Sequence, residues 1–270
     1  MKSPLKISIV IVVLLFISFS IQSQQSIYSE PLVTDRPDAT EASSTVGKGV
    51  LQFETGGIYE SYEENNVKNE TYTYNTMLVR YGLLDNLELR LGWDFVEGIT
   101  KINGNKLDNV SSGLLPLLLG MKVKIAKEKG CMPELALIAH VYPIFSASSD
   151  YRTEYTGVNF RLALSHELSE KSSLGYNIGS QWGNDSPKAA AIYSVSYGRS
   201  ITNKLGIFAE LYGDLPEDSS ANHYWDAGLT YLVSNDLQLD AYFGTSFTEG
   251  QDLLLGAGLS YRVKPNRIKQ

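Results

Sequence analysis

From Leu87 to Phe95 every second residue is apolar and large: Leu87, Leu89, Leu91, Trp93 and Phe95 alternate with Glu88, Arg90, Gly92 and Asp94. A period of two marks a strand with one apolar and one polar face. The residues from Arg80 onward reach this strand through a tight turn at Leu84-Asp85-Asn86, so residues 80–95 read as a hairpin. In a soluble sheet the apolar face would cover a core. Here the pattern recurs to the end of the chain, and no helical periodicity is present to cover it. Two-faced strands with nothing to pack against point to a closed barrel whose apolar face meets lipid.

Twelve such strands are predicted, over residues 50–62, 70–82, 87–96, 113–126, 133–144, 157–167, 173–182, 189–201, 205–212, 223–233, 237–247 and 252–263. In the fourth, Leu115, Leu117, Leu119, Met121, Val123 and Ile125 share one face. Parity puts Leu89, Leu117 and Leu239 toward lipid. Every second connection is a short turn, as at Asp85-Asn86, residues 127–132, Glu170-Lys171, Asn203-Lys204 and Asn235-Asp236. The others are mostly longer and polar, including a predicted loop over residues 97–112. Alternating short and long connections with an even strand number characterise bacterial outer-membrane barrels. The expected fold is therefore all-β: a transmembrane antiparallel up-and-down β-barrel of about twelve strands, after a cleaved signal peptide. A soluble β-sandwich or solenoid is the alternative, but soluble sheets do not carry Leu ladders on nearly every strand.

The first residues fit that destination. Lys2 and Lys6 precede an apolar run over residues 7–21, and Ser18, Ser20 and Ser23 supply small side chains near a cut. Cleavage after Ser23 is expected. Four parts follow: a signal peptide at 1–23, a periplasmic segment at 24–48, the barrel at 49–264 and a tail at 265–270. Loss of Lys2 and Lys6 leaves 21 basic against 30 acidic residues, a net charge near −9. That balance excludes a nucleic-acid partner, which needs a basic face. The 17 Tyr and 23 Gly suit strands with aromatic rims and tight turns. Cys131 is the single cysteine and has no partner for a disulfide. The place expected is the outer membrane of a Gram-negative bacterium, with membrane lipid, lipopolysaccharide, a small-molecule solute and the barrel-assembly machinery as partners.

The polar parity of the strands collects Glu54, Arg80, Glu88, Arg90, Asp94, Lys122, Lys124, His140, Arg161, Glu210, Asp226, Asp240 and Arg262 inside the barrel. Arg80, Glu88, Arg90, Asp94, Lys122, Arg161, Glu210, Asp226 and Asp240 are the candidates for a solute pathway. The competing assignment is a salt-bridge network that fills a narrow lumen; twelve strands lie between the filled eight-stranded barrel and the open sixteen-stranded one. Residues 24–48 show no sustained periodicity and carry Asp35, Arg36, Pro37, Asp38 and Glu41. A long non-periodic segment is functional or disordered. We expect residues 34–41 to fold into the periplasmic mouth and narrow it, their charges pairing with Arg80, Glu88, Arg90 and Lys122; a solvated tail is the alternative.

No catalytic residue, metal site or cofactor is expected. A barrel hydrolase needs a Ser activated by a His that a third group orients. His140 has no Ser two residues on, Ser165 and His166 point to opposite faces of one strand, and His223 lies at a strand end near Ser219 and Ser220. The three His lack metal-ligand spacing. Gly256-Ala257-Gly258 lacks the helix of a phosphate loop and fits small residues in a lumen.

Thr34-Asp35-Arg36-Pro37-Asp38-Ala39-Thr40-Glu41, followed by Gly49-Val50-Leu51-Gln52-Phe53-Glu54-Thr55-Gly56, resembles the opening of the family of the MetA pathway of phenol degradation. Tyr81-Gly82-Leu83-Leu84-Asp85-Asn86-Leu87-Glu88-Leu89-Arg90 is similar to that family's first turn. The resemblance implies an outer-membrane transporter, with uptake of aromatic compounds, and it brings no catalytic residues. Gly258, Tyr261 and Val263 also resemble the final-strand signal read by barrel-assembly machinery, although residues 264–270 follow where a terminal aromatic is usual. The function expected is a channel or transporter for small molecules. A closed structural or ligand-binding barrel is the alternative, and an outer-membrane hydrolase a third.

Overall fold

A computed structural model describes residues 30–184, 186–248 and 250–265. The expected signal peptide, residues 24–29 and residues 266–270 lie outside the described residues. The described chain forms thirteen strands: β1 (Leu51–Glu64), β2 (Val67–Leu84), β3 (Leu87–Ile102), β4 (Asn105–Leu114), β5 (Leu118–Ala126), β6 (Glu134–Tyr142), β7 (Tyr155–Ser169), β8 (Ser172–Asn184), β9 (Ser186–Ser200), β10 (Leu205–Pro216), β11 (Asn222–Ser234), β12 (Leu237–Ser246) and β13 (Leu253–Val263). Each pairs antiparallel with its neighbours, and β1 pairs with β13 through Leu51–Val263 to Ser61–Leu253, which closes the ring. β3 pairs with β5 below Gly92 and with β4 above Phe95. β4 and β5 are thus two halves of one wall position, and the barrel has twelve.

Burial is inverted relative to a soluble protein. Leu89 and Leu239 are 41% and 42% exposed, while Arg80 and Lys122 are 0% exposed. Exposed Leu, Ile, Val and Phe on strand after strand make an apolar belt far larger than a monomer carries in water. It is stable only against lipid. Tyrosines rim the belt. Tyr81, Tyr197, Tyr231 and Tyr261 lie outward near the short-turn end. Tyr59, Tyr72, Tyr74 and Phe95 follow one another near the other end, with ring centroids 5.0, 6.2 and 6.4 Å apart. Amphipathic rings at both water–lipid boundaries are usual for such barrels.

Two expectations require correction. Residues 97–112 are not a loop: β3 continues to Ile102, turns at Asn103-Gly104 with φ of 50° and 80°, and returns as β4. Asn-Gly with both φ positive is a two-residue hairpin turn. The ribbon stands above the lipid belt, so it needs no apolar face and shows none in sequence. The fourth predicted strand is also not continuous. Residues 115–117 leave the sheet around Pro116, which has no N–H for a ladder. The interruption turns Leu115 inward, where it lines the lumen with Leu118, while Leu119, Met121 and Ile125 face out.

Candidate functional site in the barrel lumen

Residues 31–48 run inside the ring. Leu32 N–H donates to Asn235 O (2.8 Å) at the short-turn end, where the segment enters, and Gly49 N–H donates to Gly82 O (2.7 Å), where it leaves. Between these points the chain climbs and folds back. Asp35 Oδ1 accepts the N–H of Ala42 (2.8 Å) and ties the two limbs together. The Arg36–Pro37 peptide bond is cis.

Asp35 is the centre of the charged core. Its carboxylate meets Arg90 Nη1 (2.7 Å), Lys122 Nζ (2.8 Å) and Arg80 Nη1 (3.3 Å). Those cations come from β3, β5 and β2, adjacent strands whose inward residues share one level: Arg80 pairs in register with Arg90, and Glu88 with Lys122. Two wall carboxylates complete the charge balance. Glu54 lies 2.8 Å from Arg80 and accepts the backbone N–H of Asp35 and Arg36. Glu88 bonds Arg80 (2.8 Å) and Arg90 (3.0 Å) and accepts the N–H of Val46. Buried charges persist only when paired and hydrogen-bonded. Burial alone would raise the Asp35 carboxyl; Arg80, Lys122 and Arg90 overcome it and hold its pKa well below the ordinary value.

The rest of the segment spans the lumen. Glu41 reaches Arg90 (2.5 Å) and stands 3.7 Å from Arg161; burial opposes its charge, but these cations bring its pKa down to about 2. Arg36 crosses to Asp240, 2.9 Å away. Asp38 faces the acidic wall. Burial is the main cause that raises its pKa to about 6, with Asp35 and Asp240 adding like charge against a hydrogen bond from Ser196. Glu210 accepts the N–H of Ala39 (2.6 Å) and the hydroxyl of Thr40. Asp226 pairs in register with Glu210 and is 2% exposed, and its Oδ1 has no hydrogen-bond partner among the described residues. Asp94 is set apart, partly buried on the wall above Arg36. The lumen is therefore basic along β2, β3, β5 and β7 and acidic along β10, β11 and β12.

Several contributors were not singled out from the sequence. Gln52 donates to Val33 O, Gln238 to Thr34 Oγ1, and Asn177 both accepts from Glu41 N–H and donates to Glu41 O. Inward amides on alternating strands are a weak signal, because any water-filled lumen shows them. Gly56 and Gly258 are register partners, and a Cβ on either would lie 2.6 or 2.4 Å from Arg36 Nη2. Their absence of side chains makes the slot that Arg36 occupies.

Two cavities flank the segment. One, of about 680 Å³, opens at the ribbon end and is walled by Asp94, Leu115, Pro116, Leu118, Tyr142 and Arg161. The other, of about 550 Å³, opens at the short-turn end among Ser165, Ser172, Ser173 and Ser200. Arg36, Asp38 and Glu41 line both. The folded-back segment is the partition between them.

The three histidines are placed apart. His140 is 1% exposed with neither ring nitrogen hydrogen-bonded among the described residues, His166 stacks on Tyr176, and His223 Nδ1 lies 2.7 Å from Tyr193 Oη. No group of three His, Cys, Asp or Glu side chains among the described residues is arranged to hold a metal. Cys131 is exposed.

The sequence profile of the family described as "Putative MetA-pathway of phenol degradation" matches residues 34–266. No curated protein matches the chain in sequence. Among solved structures, the chain is similar to the COG4313 outer membrane channel from Pseudomonas putida F1, at 11% identity and TM-score 0.64, covering 82% of this chain and 98% of that one. It is also similar to the translocator domain of the autotransporter NalP from Neisseria meningitidis, at 11% identity and TM-score 0.50, covering 81% and 90%. At these identities the likeness is one of fold.

Proposed function

We propose that this chain, which belongs to the family of the MetA pathway of phenol degradation, is an outer-membrane channel for small apolar and aromatic compounds, closed by residues 31–48. The observation that carries this is the partition: Arg36, Asp38 and Glu41 line both cavities, so a shift of one short segment joins them. A barrel that served only as scaffold would have no need of two cavities meeting at one segment. The short-turn end faces the periplasm and the ribbon end the exterior, as in barrels of this class. The protein lies in the outer membrane of a Gram-negative bacterium. Lipopolysaccharide in the outer leaflet and delivery by the barrel-assembly machinery belong to the same reading.

The substrate class rests on the family and on the outer cavity. Leu115, Pro116 and Leu118 offer an apolar wall, and Tyr142 and Arg161, from the neighbouring strands β6 and β7, add polar groups beside it. An apolar cavity with a few placed polar groups is the usual form of a small-molecule site, and a phenol presents that mixture. We read the protein as non-enzymatic, in keeping with the transporter role that the family implies. The test is single-channel recording in a planar bilayer for the full chain and for a variant lacking Ser26 to Ala42 with its signal peptide retained. Rare openings in the first and a wide, noisy pore in the second are expected. Equal conductance from two correctly folded proteins would remove residues 31–48 as the closure.

A further inference from the structure

At the level of the outer cavity, uncommitted polar groups stand on either side of an apolar patch. Gly92 on β3 pairs with Leu118 on β5, and Leu119 pairs with Val141 on β6. Gly92, Leu118 and Tyr142 thus share one level of the wall, all three lining the cavity, and Asp94 stands one pleat above Gly92. Gly92 leaves the face of Leu118 uncovered, since a Cβ there would stand 3.2 Å from Leu118 Cβ. In ring order the cavity wall reads Asp94, then Leu115, Pro116 and Leu118, then Tyr142, then Arg161.

The other charges of the cavity floor are committed. Arg36 is held by Asp240, and Arg90 by Asp35, Glu41 and Glu88. Three groups keep bonding capacity. Arg161 donates from Nε to Asn159 Oδ1 (3.1 Å) and from Nη1 to Ala39 O (3.4 Å). It stands 3.7 Å from Glu41, which Arg90 already binds, and its Nη2 has no acceptor among the described residues. The Tyr142 ring meets the His140 ring at 79° with centroids 6.2 Å apart, and its hydroxyl has no hydrogen-bond partner among the described residues. Asp94 makes no ion pair among the described residues, although it lines the same cavity. A solute that matches these groups would replace water on all three.

We propose that the outer cavity is a site for a single-ring aromatic carboxylate that also bears a ring hydroxyl, of the 4-hydroxybenzoate type. Its carboxylate accepts from Tyr142 Oη and Arg161 Nη2, its ring lies on Leu115, Pro116 and Leu118, and its hydroxyl donates to Asp94. The inference rests on the channel reading above and names a solute class for it. β3 and β6 are two inter-strand spacings apart, about 10 Å, and β7 is one further. That span is on the scale of one substituted benzene ring. Hydrogen bonds from a guanidinium to a carboxylate are stronger than any that a neutral solute can make there. An ionised solute also has more need of a channel. A neutral phenol dissolves in lipid, whereas a carboxylate pays a large desolvation cost and depends on a polar route. Below the cavity the route is polar, through the charges of the lumen segment and then the hydroxyls of Ser165, Ser172, Ser173 and Ser200.

The test is isothermal titration calorimetry on the full chain in detergent at neutral pH, with 4-hydroxybenzoate, benzoate and the neutral 4-hydroxybenzyl alcohol as probes. The cavity opens at the ribbon end, so binding does not need residues 31–48 to move. 4-Hydroxybenzoate should bind about tenfold tighter than the alcohol, the usual worth of a hydrogen bond to a charged group. It should also bind more tightly than benzoate. Tyr142→Phe leaves every ion pair in place; it should weaken the acid about fivefold to tenfold and the alcohol far less. Asp94→Ala should bring 4-hydroxybenzoate and benzoate level. Equal affinity for acid and alcohol, or a Tyr142→Phe protein that binds the acid as tightly as the unmodified chain, would overturn the carboxylate site, and so would the absence of binding by all three probes. Bilayer conductance of the same preparations separates this from the channel reading. A conducting protein that ignores the acid loses the site and keeps the channel. A protein that binds the acid yet never conducts, even without residues 26–42, keeps the site and loses the channel.

Discussion

The Arg36 guanidinium meets Asp240 at 2.9 Å across the lumen, in a slot that exists because residues 56 and 258 are both glycine. The pair joins positions 204 residues apart, one in the lumen segment and one in the wall. It anchors the segment on the acidic side, as Asp35 anchors it on the basic side.

Filling the slot should release the segment. A Cβ at 258 would stand 2.4 Å from Arg36 Nη2, so Gly258→Leu must expel the guanidinium and leave Asp240 buried without its partner. Losing one member of a buried pair costs about 3–5 kcal/mol. The same Cβ would stand 2.4 Å from Thr55 O on β1, so the β1–β13 seam must shift as well: raised single-channel opening probability is expected, with a smaller share of heat-resistant barrel on gels. Asp240→Asn, which removes the charge without adding volume, should act in the same direction. A closed channel in both variants would show that Arg36 does not hold the segment.

Asp35→Asn attacks the other anchor. Three cations lose a shared carboxylate, and the tie to Ala42 N–H weakens. The expected loss is again about 3–5 kcal/mol of segment docking, seen as frequent opening and faster proteolysis within residues 31–48. The pH dependence has a defined sign. The folded Asp35 pKa is depressed, so its contribution is present above the unfolded value and is lost only as pH falls through the depressed folded value. Closure by this anchor should therefore persist at pH 4, about where an unpaired Asp is half protonated.

Asp38 should give the opposite slope. Its folded pKa is raised to about 6, so between the unfolded value and about 6 the folded segment holds more protons than the released one. Closure then weakens as pH rises through that window. Opening probability in bilayers should climb from pH 4 to pH 7, and Asp38→Asn should flatten the climb. A wild-type channel with no slope over that range would contradict the placement of Asp38 against Glu210 and Asp226.

The alternation of Leu89 with Arg90 was enough to read strand, facing and barrel, because a lipid-facing wall repeats one physical demand on every strand. The hairpin at Asn103-Gly104 and the break at Pro116 also had local signals, but the polar ribbon hid the first and the Leu run around Pro116 hid the second. The lumen was legible only as a set of charges on inward parity. Which charge meets which depends on the path of an irregular segment. Nothing local says that Arg36 goes to Asp240, that Asp38 meets no cation among the described residues, or that Asn177 holds the backbone of Glu41. The two glycines that admit Arg36 are 202 positions apart and join only through the closing pair of strands.

The facing of the wall gives the last prediction, and the lumen contacts sharpen it. Leu89 and Leu239 project into lipid, and Arg at the bilayer midplane costs about 2–4 kcal/mol. Leu89→Arg and Leu239→Arg should each reduce the heat-resistant folded form. Leu117 is only partly exposed and lies in the break beside Ser146, where an Arg side chain can turn toward the outer cavity; Leu117→Arg should be milder. By parity alone Arg90→Leu would be harmless, since it adds an apolar side chain to the inside. The contacts say otherwise: Arg90 serves Asp35, Glu41 and Glu88 together, and its loss leaves these buried carboxylates short of a cation. Arg90→Leu should leave the barrel folded, because the wall ladders do not use the side chain, yet release the segment and open the pore. A folded, closed Arg90→Leu channel would show that Arg80 and Lys122 suffice to hold Asp35.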